Sequence, residues 1–506
     1  MNTPLRRVGL AMLAMIILLL ANATYIQVVK ADDYRNDARN QRVLLEEYAR
    51  QRGRIITSDE QIIANVKSTD DRLRYQRTYV NGPMYAPVTG FYSVRYGATG
   101  LERTEDEILN GSDDRLFVRR LSDLITGRDP RGGNIVTTVN SKVQKTAYQA
   151  MQASGYKGAV VALKPDDGQI LAMVSTPSFD PNALAVHDGK AQAKAYDRYR
   201  DENNKNKPML NRAIQENYAP GSTFKLVTAS TALEDGKDKN YELTASPGID
   251  VLTGDPCDPN DGSSRCLSNF AGSPCGSGQK ATMATAIQLS CNTAFAQLAA
   301  EEGPDKLSGQ AAKYGIGETD LTIPMPVVAS CIGPQGDQCL NLGDDKGALY
   351  QSGIGQRDVR LTALENAVVA GTIANGGVRM RPQLVQQVLA PDLSIIDGFE
   401  EEEEDQAISS GSADQLRDMM LLSEEHTGGD GKRGDLAIAS KTGTAETGAD
   451  PKNTPPYAWY VAFAPAEDPK VAVAVIVEST DVAATGGKLS AVIGRSTIDA
   501  ALAGGN

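Results

Sequence analysis

The fold of this 506-residue chain is decided by the stretch Tyr218-Ala-Pro-Gly-Ser-Thr-Phe-Lys-Leu-Val-Thr-Ala-Ser-Thr-Ala-Leu233. Pro220 and Gly221 end one segment, and an apolar, alanine-rich run follows them, which is the pattern of a helix start. Residues three apart share one face of a helix. The Ser222 hydroxyl and the Lys225 amine are therefore expected to lie side by side at the N-terminus of a helix.

Two short motifs follow this Ser-x-x-Lys pair, and each occurs once in the chain. They are Ser290-Cys-Asn292 and Lys441-Thr-Gly-Thr444. The Ser-x-x-Lys pattern itself recurs at residues 154–157 and 277–280, but a glycine interrupts both copies and neither opens a helix behind Pro-Gly. Among the three copies, only the one at Ser222 is retained as a candidate nucleophile.

A serine nucleophile needs a neighbouring base, and histidine, the commonest base, is scarce in this chain. The two histidines, His187 in a turn and His426 in an acidic loop, are expected at the surface. A lysine can replace histidine if its amine is neutral, although only about 1 in 2500 free amines is neutral at pH 7. Burial and a second cation both lower the pKa of a lysine. Lys225 is thus the expected base, and Lys441 the expected second cation.

The ordered triple Ser-x-x-Lys, Ser-x-Asn and Lys-Thr-Gly resembles the signature of penicillin-binding proteins, in particular class B members of the actinobacterial penicillin-binding protein A type. Three segments of the second half strengthen the resemblance, namely Gly353-Ile-Gly-Gln356, Leu361-Thr-Ala-Leu-Glu-Asn366 and Ala374-Asn-Gly-Gly377. Arg52-Gly-Arg-Ile55 and Tyr96-Gly-Ala-Thr-Gly-Leu-Glu102 resemble segments of the N-terminal region of class B members. The resemblance covers nearly the whole chain.

The resemblance implies an α/β (α+β) fold of the serine D,D-peptidase and β-lactamase-like transpeptidase kind. It consists of an antiparallel sheet from both chain ends plus an all-helical lobe, preceded by a mostly β N-terminal pedestal domain and one transmembrane helix. The implied domains are a cytoplasmic tail at 1–7, a transmembrane anchor at 8–29, a non-catalytic pedestal or dimerisation-type domain at 30–138, and a transpeptidase domain at 139–506. The N-terminal domain is too short for the glycosyltransferase module of class A relatives.

The same resemblance assigns four catalytic residues. Ser222 attacks, Lys225 removes its proton, and Ser290 passes a proton between Lys225, Ser222 and the leaving group. Lys441 adds positive charge from the other side of the cleft. No cofactor and no metal ion are implied.

Four residues are candidates for binding the substrate. Asn292 is expected to donate to a backbone carbonyl of the substrate. Thr442 and Thr444 can bind a terminal carboxylate, and Gly443 lets a peptide lie against the strand. The backbone N–H groups of Ser222 and Thr444 are the expected oxyanion hole.

The implied substrate is a peptidoglycan stem peptide ending in D-Ala-D-Ala, cross-linked through an acyl-enzyme to an amine of a neighbouring stem. β-Lactams would trap the same serine, and a membrane-embedded glycan polymerase and other cell-wall synthesis proteins would be partners. Two alternatives stay open. One is a D,D-carboxypeptidase or β-lactamase, with water as acceptor, although Cys291 stands where class A β-lactamases carry aspartate. The other is a non-enzymatic β-lactam receptor or scaffold.

Arg6 and Arg7 precede the apolar run Val8–Ile26. Nineteen residues at ~1.5 Å rise span roughly 28 Å, about one hydrocarbon core. Arginines on the N-terminal side place that end in the cytoplasm. A cleaved signal peptide is the alternative, but no small-x-small site ends the run cleanly and Tyr25-Ile-Gln-Val-Val29 continues it. A retained single-pass anchor with an extracytoplasmic catalytic domain is the prediction.

The net charge of −13 gives no basic footprint for nucleic acid. The six cysteines all fall within residues 257–339, and in an oxidising exterior such a cluster indicates disulfides, with the pairing open. They are Cys257, Cys266, Cys275, Cys291, Cys331 and Cys339. A zinc site is the competing interpretation, but the spacing fits no Cys-x-x-Cys knuckle. A bridge at Cys291 would hold the motif loop, and the acidic run 400–405 is expected to be a solvated loop.

Periodicity predicts a helix at 140–153, a hairpin from 158–163 and 169–174 around Asp-Gly, and a closing helix at 490–502. Strands are expected again at 458–463 and 471–477. Strands at both ends with helices between them suggest one sheet beside a helical lobe. The reaction site is expected in a cleft between the two.

Overall fold

A computed structural model describes residues 2–30, 48–116 and 131–504, apart from residues 262, 264, 335, 337, 344, 449, 451 and 452. The chain begins with a helix, Asn2–Thr24, which continues as a π-helix over Tyr25–Val29. The 24 residues Arg6–Val29 are long and apolar enough to cross a membrane, and none is buried. The N-terminal helix is therefore compatible with the predicted anchor.

The N-terminal domain is built on a six-stranded sheet. Its strands, in spatial order, are Ile395–Gly398, Val385–Leu389, Asn134–Thr137, Ile55–Ile56, Ile62–Ser68 and Tyr75–Tyr79. Two of these strands, at 385–389 and 395–398, come from the second half of the chain, so the N-terminal and catalytic parts share one sheet. Around it lie a short strand pair, Tyr92–Ser93 with Gly97–Ala98, and the helices Gly82–Thr89, Leu101–Thr104 and Asp106–Asn110.

A buried carboxylate joins three segments of this domain. Glu102 accepts a hydrogen bond from Arg52 Nε and another from Arg77 Nε, each at 2.6 Å. All three side chains are 4% exposed or less. A lone buried carboxylate would be costly, and the two guanidinium groups offset that cost. Arg52 and Glu102 belong to the two N-terminal segments that carry the family resemblance.

The catalytic part is built on a five-stranded antiparallel sheet in the order β3-β4-β5-β1-β2. These strands are β1 (Lys157–Leu163), β2 (Ile170–Thr176), β3 (Ala439–Ala445), β4 (Tyr457–Ala464) and β5 (Val471–Glu478). The predicted hairpin and the predicted sheet from both chain ends are confirmed. Because β3 is the first strand in this order, the Lys-Thr-Gly motif lies at an edge of the sheet.

Helices cover both faces of this sheet. Side chains alternate along a strand, and in β1 Val160 and Ala162 join one apolar cluster while Ala159 and Val161 join another. The first cluster includes helix α1 (Ser141–Ala153) and helix α6 (Gly486–Ala503), and the second includes α4 (Ala363–Ala374). Strands buried on both faces explain the nearly continuous apolar sequence of β5.

The helical lobe lies between β2 and β3 in the chain. Three of its helices are α2 (Lys225–Glu234), α3 (Asn292–Glu302) and α5 (Ser410–His426). Others lie at Asn182–Ala185, Gly189–Arg200, Met283–Gln288, Pro304–Lys313 and Lys346–Ser352. Its strand pairs are Glu242–Thr244 with Lys280–Thr282, Gly248–Asp250 with Cys266–Ser268, and Val378–Met380 with Glu403–Gln406. The segment at 247–278, called the insert below, thus contributes its own strand pair.

Two local predictions were wrong. His426 is the last residue of α5 and not part of a loop. The acidic run 400–405 is not wholly a solvated loop, because residues 403–406 form a strand. Glu404 is the one partly buried residue of this run, and it contacts Arg379 at 2.8 Å and Arg381 at 3.1 Å. The other five acidic residues are exposed, as expected.

Candidate active site

Ser222 lies in a tight turn that precedes helix α2. Residues Gly221–Phe224 form a 3-10 turn, and Lys225 is the first residue of α2. The sequence predicts a helix start here, and the structure refines that prediction because the first turn is the tighter 3-10 form. Gly221 has φ of +53°, and a Cβ on it would lie 2.9 Å from Thr444 O. Only glycine lets the turn approach β3 this closely.

Three hydrogen bonds from distant parts of the chain hold this turn. They are Gly221 N to Gly355 O at 2.9 Å, Asn366 Nδ2 to Thr223 Oγ1 at 3.0 Å, and Trp459 Nε1 to Ala219 O at 2.9 Å. Sequence reasoning assigned none of these donors and acceptors a role. Two signals were present, since Trp459 is the single tryptophan of the chain and the other two contacts lie in segments of the family resemblance.

The Lys225 amine is buried and turned towards the Ser-Cys-Asn motif. Lys225 Nζ donates to Ser290 O at 2.7 Å and to Asn292 Oδ1 at 2.8 Å, and it lies 3.5 Å from Ser290 Oγ. Among the described residues, none forms a hydrogen bond with the Ser222 hydroxyl, Lys225 included. Burial lowers the pKa of Lys225 well below its ordinary range, and the charge of Lys441 lowers it further. The fold therefore favours a neutral amine at Lys225.

Ser290 lies between the two lysines. Its φ of +58° is in the left-handed region that a non-glycine residue rarely adopts. Lys441 Nζ donates to Ser290 Oγ at 2.9 Å and to Thr442 O at 3.0 Å. The structure thus joins Lys225, Ser290 and Lys441 into one chain of polar contacts where β3 meets the helical lobe.

Lys441 is fully buried, and burial lowers its pKa to about 7. Two amines joined through one serine hydroxyl cannot both be protonated cheaply, because like charges disfavour each other. Two causes lower the pKa of Lys225, whereas burial alone lowers that of Lys441. Both shifts favour loss of a proton from this buried pair, and the charge of Lys441 adds to the effect at Lys225.

Residues 441–444 of β3 alternate between buried and partly exposed positions. Thr442 and Thr444 are partly exposed, whereas Lys441 and Gly443 are buried. Neither threonine hydroxyl has a hydrogen-bond partner within the described part of the chain. A Cβ on Gly443 would lie 2.7 Å from Pro220 O, so the glycine is needed for the approach of the Ser222 turn. This is a different reason from the contact with a substrate backbone that the sequence suggests.

Asn292 makes contacts other than the predicted one. Its Nδ2 donates to Ser268 O in the insert at 2.9 Å, while its Oδ1 accepts from Lys225. The amide is therefore engaged on both sides within the protein. No local pattern predicts the contact with Ser268, because the two residues lie 24 positions apart.

All six cysteines are paired in the structure. The bridges are Cys257–Cys266, Cys275–Cys291 and Cys331–Cys339. The pairing that the sequence left open therefore links near neighbours, and no group of three or more potential metal ligands occurs among the described residues. The bridge at Cys291 joins the insert to the Ser-Cys-Asn motif and holds that loop from one side.

Models of two protein families match this chain. The model described as the penicillin binding protein transpeptidase domain matches residues 158–499. The model described as the penicillin binding protein A dimerisation domain matches residues 52–135. The first of these ranges contains all eight predicted catalytic and substrate-binding residues.

Two similar proteins align with this chain over its full length. It is 52% identical over 511 residues to the peptidoglycan D,D-transpeptidase PbpA of Mycolicibacterium smegmatis, with 100% of both chains covered. It is 49% identical over 509 residues to the peptidoglycan D,D-transpeptidase PbpA of Mycobacterium tuberculosis, again with 100% of both covered.

Solved structures agree with these relatives. Penicillin-binding protein A from M. tuberculosis, as its ceftriaxone acyl-enzyme complex, superposes with a TM-score of 0.84 at 48% identity. The penicillin G acyl-enzyme complex of the same protein gives a TM-score of 0.82, also at 48% identity. Both comparisons cover 90% of this chain and 100% of the other.

Proposed function

This chain belongs to the penicillin-binding protein transpeptidase family, and on that premise we propose that it is a membrane-anchored peptidoglycan D,D-transpeptidase with Ser222 as its nucleophile. The proposal rests above all on the contacts that join Lys225, Ser290 and Lys441 beside the Ser222 turn. A buried amine of lowered pKa next to a serine is the usual arrangement of an activated nucleophile. β-Lactams are expected to acylate the same serine.

Acylation starts when the neutral Lys225 amine takes the proton of Ser222. The serine oxygen then attacks the carbonyl of the penultimate D-Ala, and the oxyanion accepts hydrogen bonds from the N–H groups of Ser222 and Thr444. Ser290 passes the proton from Lys225 to the departing amine of the terminal D-Ala. Catalytic hydrogen bonds commonly tighten when substrate binds, as the contact between Ser222 and Lys225 must do here.

Substrate binding is assigned to the exposed face of β3. The hydroxyls of Thr442 and Thr444 donate to the terminal carboxylate, and Lys441 supplies positive charge. The side-chain nitrogen of Asn292 carries two hydrogens, and the contact with Ser268 uses one of them, so the second can donate to the peptide carbonyl. An amine of a second stem then attacks the ester carbonyl on Ser222 and gives its proton to Lys225. The bond between that carbonyl carbon and the Ser222 oxygen breaks, Lys225 returns the proton to the serine oxygen, and the cross-linked peptide leaves.

The location proposed is the cell membrane. The apolar helix Arg6–Val29 is the single-pass anchor, and the arginines before it place the N-terminus in the cytoplasm. The catalytic domain is then extracytoplasmic, and three disulfides are in keeping with an oxidising compartment. The N-terminal domain at 30–138 is proposed to bind a membrane-embedded glycan polymerase or other cell-wall synthesis proteins. The transpeptidase domain is assigned to 139–506.

The products distinguish transpeptidation from the alternatives. We expect the purified protein, given nascent peptidoglycan with free acceptor amines, to form mostly cross-linked stem dimers with release of D-Ala. The measurement is chromatography with mass detection of the digested glycan, and Ser222→Ala is the control without activity. Trimmed stems with no dimers would indicate a D,D-carboxypeptidase instead. Rapid multiple-turnover hydrolysis of penicillin would indicate a β-lactamase. If neither peptidoglycan nor penicillin is turned over, a receptor or scaffold is the remaining alternative.

A further inference from the structure

One buried amide joins the insert to the Ser-Cys-Asn motif, and this amide belongs to Asn269. Its side chain is 6% exposed. Asn269 Oδ1 accepts from Asn292 N at 2.7 Å, from Thr293 N at 3.0 Å and from Thr293 Oγ1 at 3.2 Å. Its Nδ2 donates to Ser246 O at 3.1 Å and to Ser273 O at 3.0 Å. Both halves of the amide are therefore fully used.

We propose that Asn269 is a positioning residue for acylation, which holds the Ser-Cys-Asn motif against Lys225 by capping helix α3. This inference rests on the proposed function, because it assigns Asn269 a part in the same reaction. Asn269 itself is not placed in contact with the substrate.

The cap replaces one that the helix lacks locally. The first N–H groups of a helix have no partner within the helix and are usually satisfied by a side chain at the N-cap. In α3 the N-cap residue is Cys291, whose side chain makes no capping hydrogen bond and is bridged to Cys275. Asn269, 23 positions before Asn292, supplies the acceptor instead. The start of α3 is thereby fixed to the insert.

The contacts of Asn269 continue directly to the base. Asn292, whose N–H it binds at 2.7 Å, accepts from Lys225 Nζ through its own Oδ1 at 2.8 Å. Two residues earlier, Ser290 has a φ of +58°. Its carbonyl oxygen accepts a hydrogen bond from Lys225, and its hydroxyl oxygen accepts one from Lys441. A backbone conformation of this kind persists only where its surroundings hold it. Asn269 holds the motif from the helix side, and the Cys275–Cys291 bridge holds it from the loop side.

Three variants test this inference through the rate of acylation by a fluorescent penicillin. Asn269→Ala removes the cap and both donors, and its acylation rate is expected to fall about 30- to 100-fold, since small misplacements of catalytic groups have effects of that size. Asn269→Asp keeps the acceptor for the cap, loses the donors to Ser246 and Ser273, and turns a carboxyl oxygen towards their two carbonyl oxygens. Its rate is expected to stay within about threefold of wild type. Asn260→Ala, an exposed asparagine of the same insert, is the matched control and should leave the rate unchanged.

The rates are compared on the alkaline plateau of each pH profile, because a carboxylate at 269 favours the charged form of Lys225. That charge also moves the acid limb of Asn269→Asp to higher pH, a shift that follows from the charge alone, so the plateau rate is the readout for the capping role. Thermal unfolding is measured in parallel. If the amide only stabilised the insert, Asn269→Asp would lose acylation and stability together, as Asn269→Ala does, and the inference would be contradicted.

Should Asn269→Ala not fold, the aspartate variant still decides, since a loss above about tenfold in a folded Asn269→Asp contradicts the capping role. Equal acylation of wild type and a folded Asn269→Ala would contradict it as well. A wild-type protein that is not labelled at all would instead contradict the proposed function. The two failures are therefore distinguishable.

Discussion

The Ser222→Ala variant is expected to show no covalent labelling by a fluorescent penicillin. In the turn Gly221–Phe224 before α2, the Ser222 hydroxyl is partly exposed and has no hydrogen-bond partner among the described residues, whereas the Thr223 hydroxyl is bonded. Removing a serine nucleophile leaves no atom to form the ester, and losses of ~10⁴-fold or more are usual for such a change. The measurement is in-gel fluorescence after a fixed exposure of folded protein, with folding checked by thermal unfolding.

The two other Ser-x-x-Lys copies provide matched controls. Ser154 is the C-cap residue of α1, and Lys157 contacts Glu478 at 2.6 Å. Lys280 contacts Glu242 at 2.9 Å, and both side chains are more than half exposed. Each of these two amines contacts a carboxylate and not the serine of its own copy, so Ser154→Ala and Ser277→Ala should label as the wild type does. Full labelling of Ser222→Ala would rule out the assignment of the nucleophile.

The Lys225→Met variant is expected to lose about 10³-fold in acylation rate, within the range of 10² to 10⁴ that a general base contributes. Methionine preserves most of the buried volume of the lysine stem, so the effect reports mainly the missing amine. The measurement is the second-order rate constant of acylation from stopped or quenched labelling. Lys313→Met, at an exposed position of the same lobe, is the control and should acylate normally. A loss below about tenfold in Lys225→Met would contradict the role of this amine as base.

The pH profile supplies the second half of this prediction. The amine acts as base only when neutral, so the rate should rise with pH through the pKa of Lys225. Burial, and then the charge of Lys441, hold that pKa well below its ordinary range. The rise should therefore be complete below the pH at which a free lysine titrates, about 10.4. A profile that still climbs through that pH would mean that the Lys225 amine is not neutral in the fold.

Much of the site could be predicted because several of its residues lie close together in sequence. Ser222 and Lys225 are three residues apart behind Pro-Gly, and a turn of either helix type places both at the head of α2. The strands on either side of the lobe could be predicted from their apolar runs and from the Asp-Gly turn, and Lys441 was found through the single Lys-Thr-Gly motif. That Ser290 lies close to Lys225 and Lys441 was predicted from the family resemblance and not from any periodicity.

The rest depends on contacts between distant parts of the chain. The 3-10 form of the Ser222 turn accompanies the hydrogen bond between Gly221 N and Gly355 O. No residue close to Ser222 in sequence predicts that hydrogen bond. The orientation of Asn292 depends on Ser268 and Asn269 in the insert. The strands at 385–398 complete the N-terminal sheet although they follow the Ser-Cys-Asn motif in sequence. Pairings of this kind are set by the fold as a whole.

The most direct test of the account is mass spectrometry of tryptic peptides after reaction with penicillin G. Cleavage after Arg212 and Lys225 gives the peptide 213–225, in which Ser222 is the single serine. The account predicts that this peptide gains the mass of one opened penicillin and that fragmentation places the adduct on Ser222. An adduct on a peptide carrying Ser154 or Ser277, or a fully unmodified peptide 213–225 in protein that has been labelled, would contradict it.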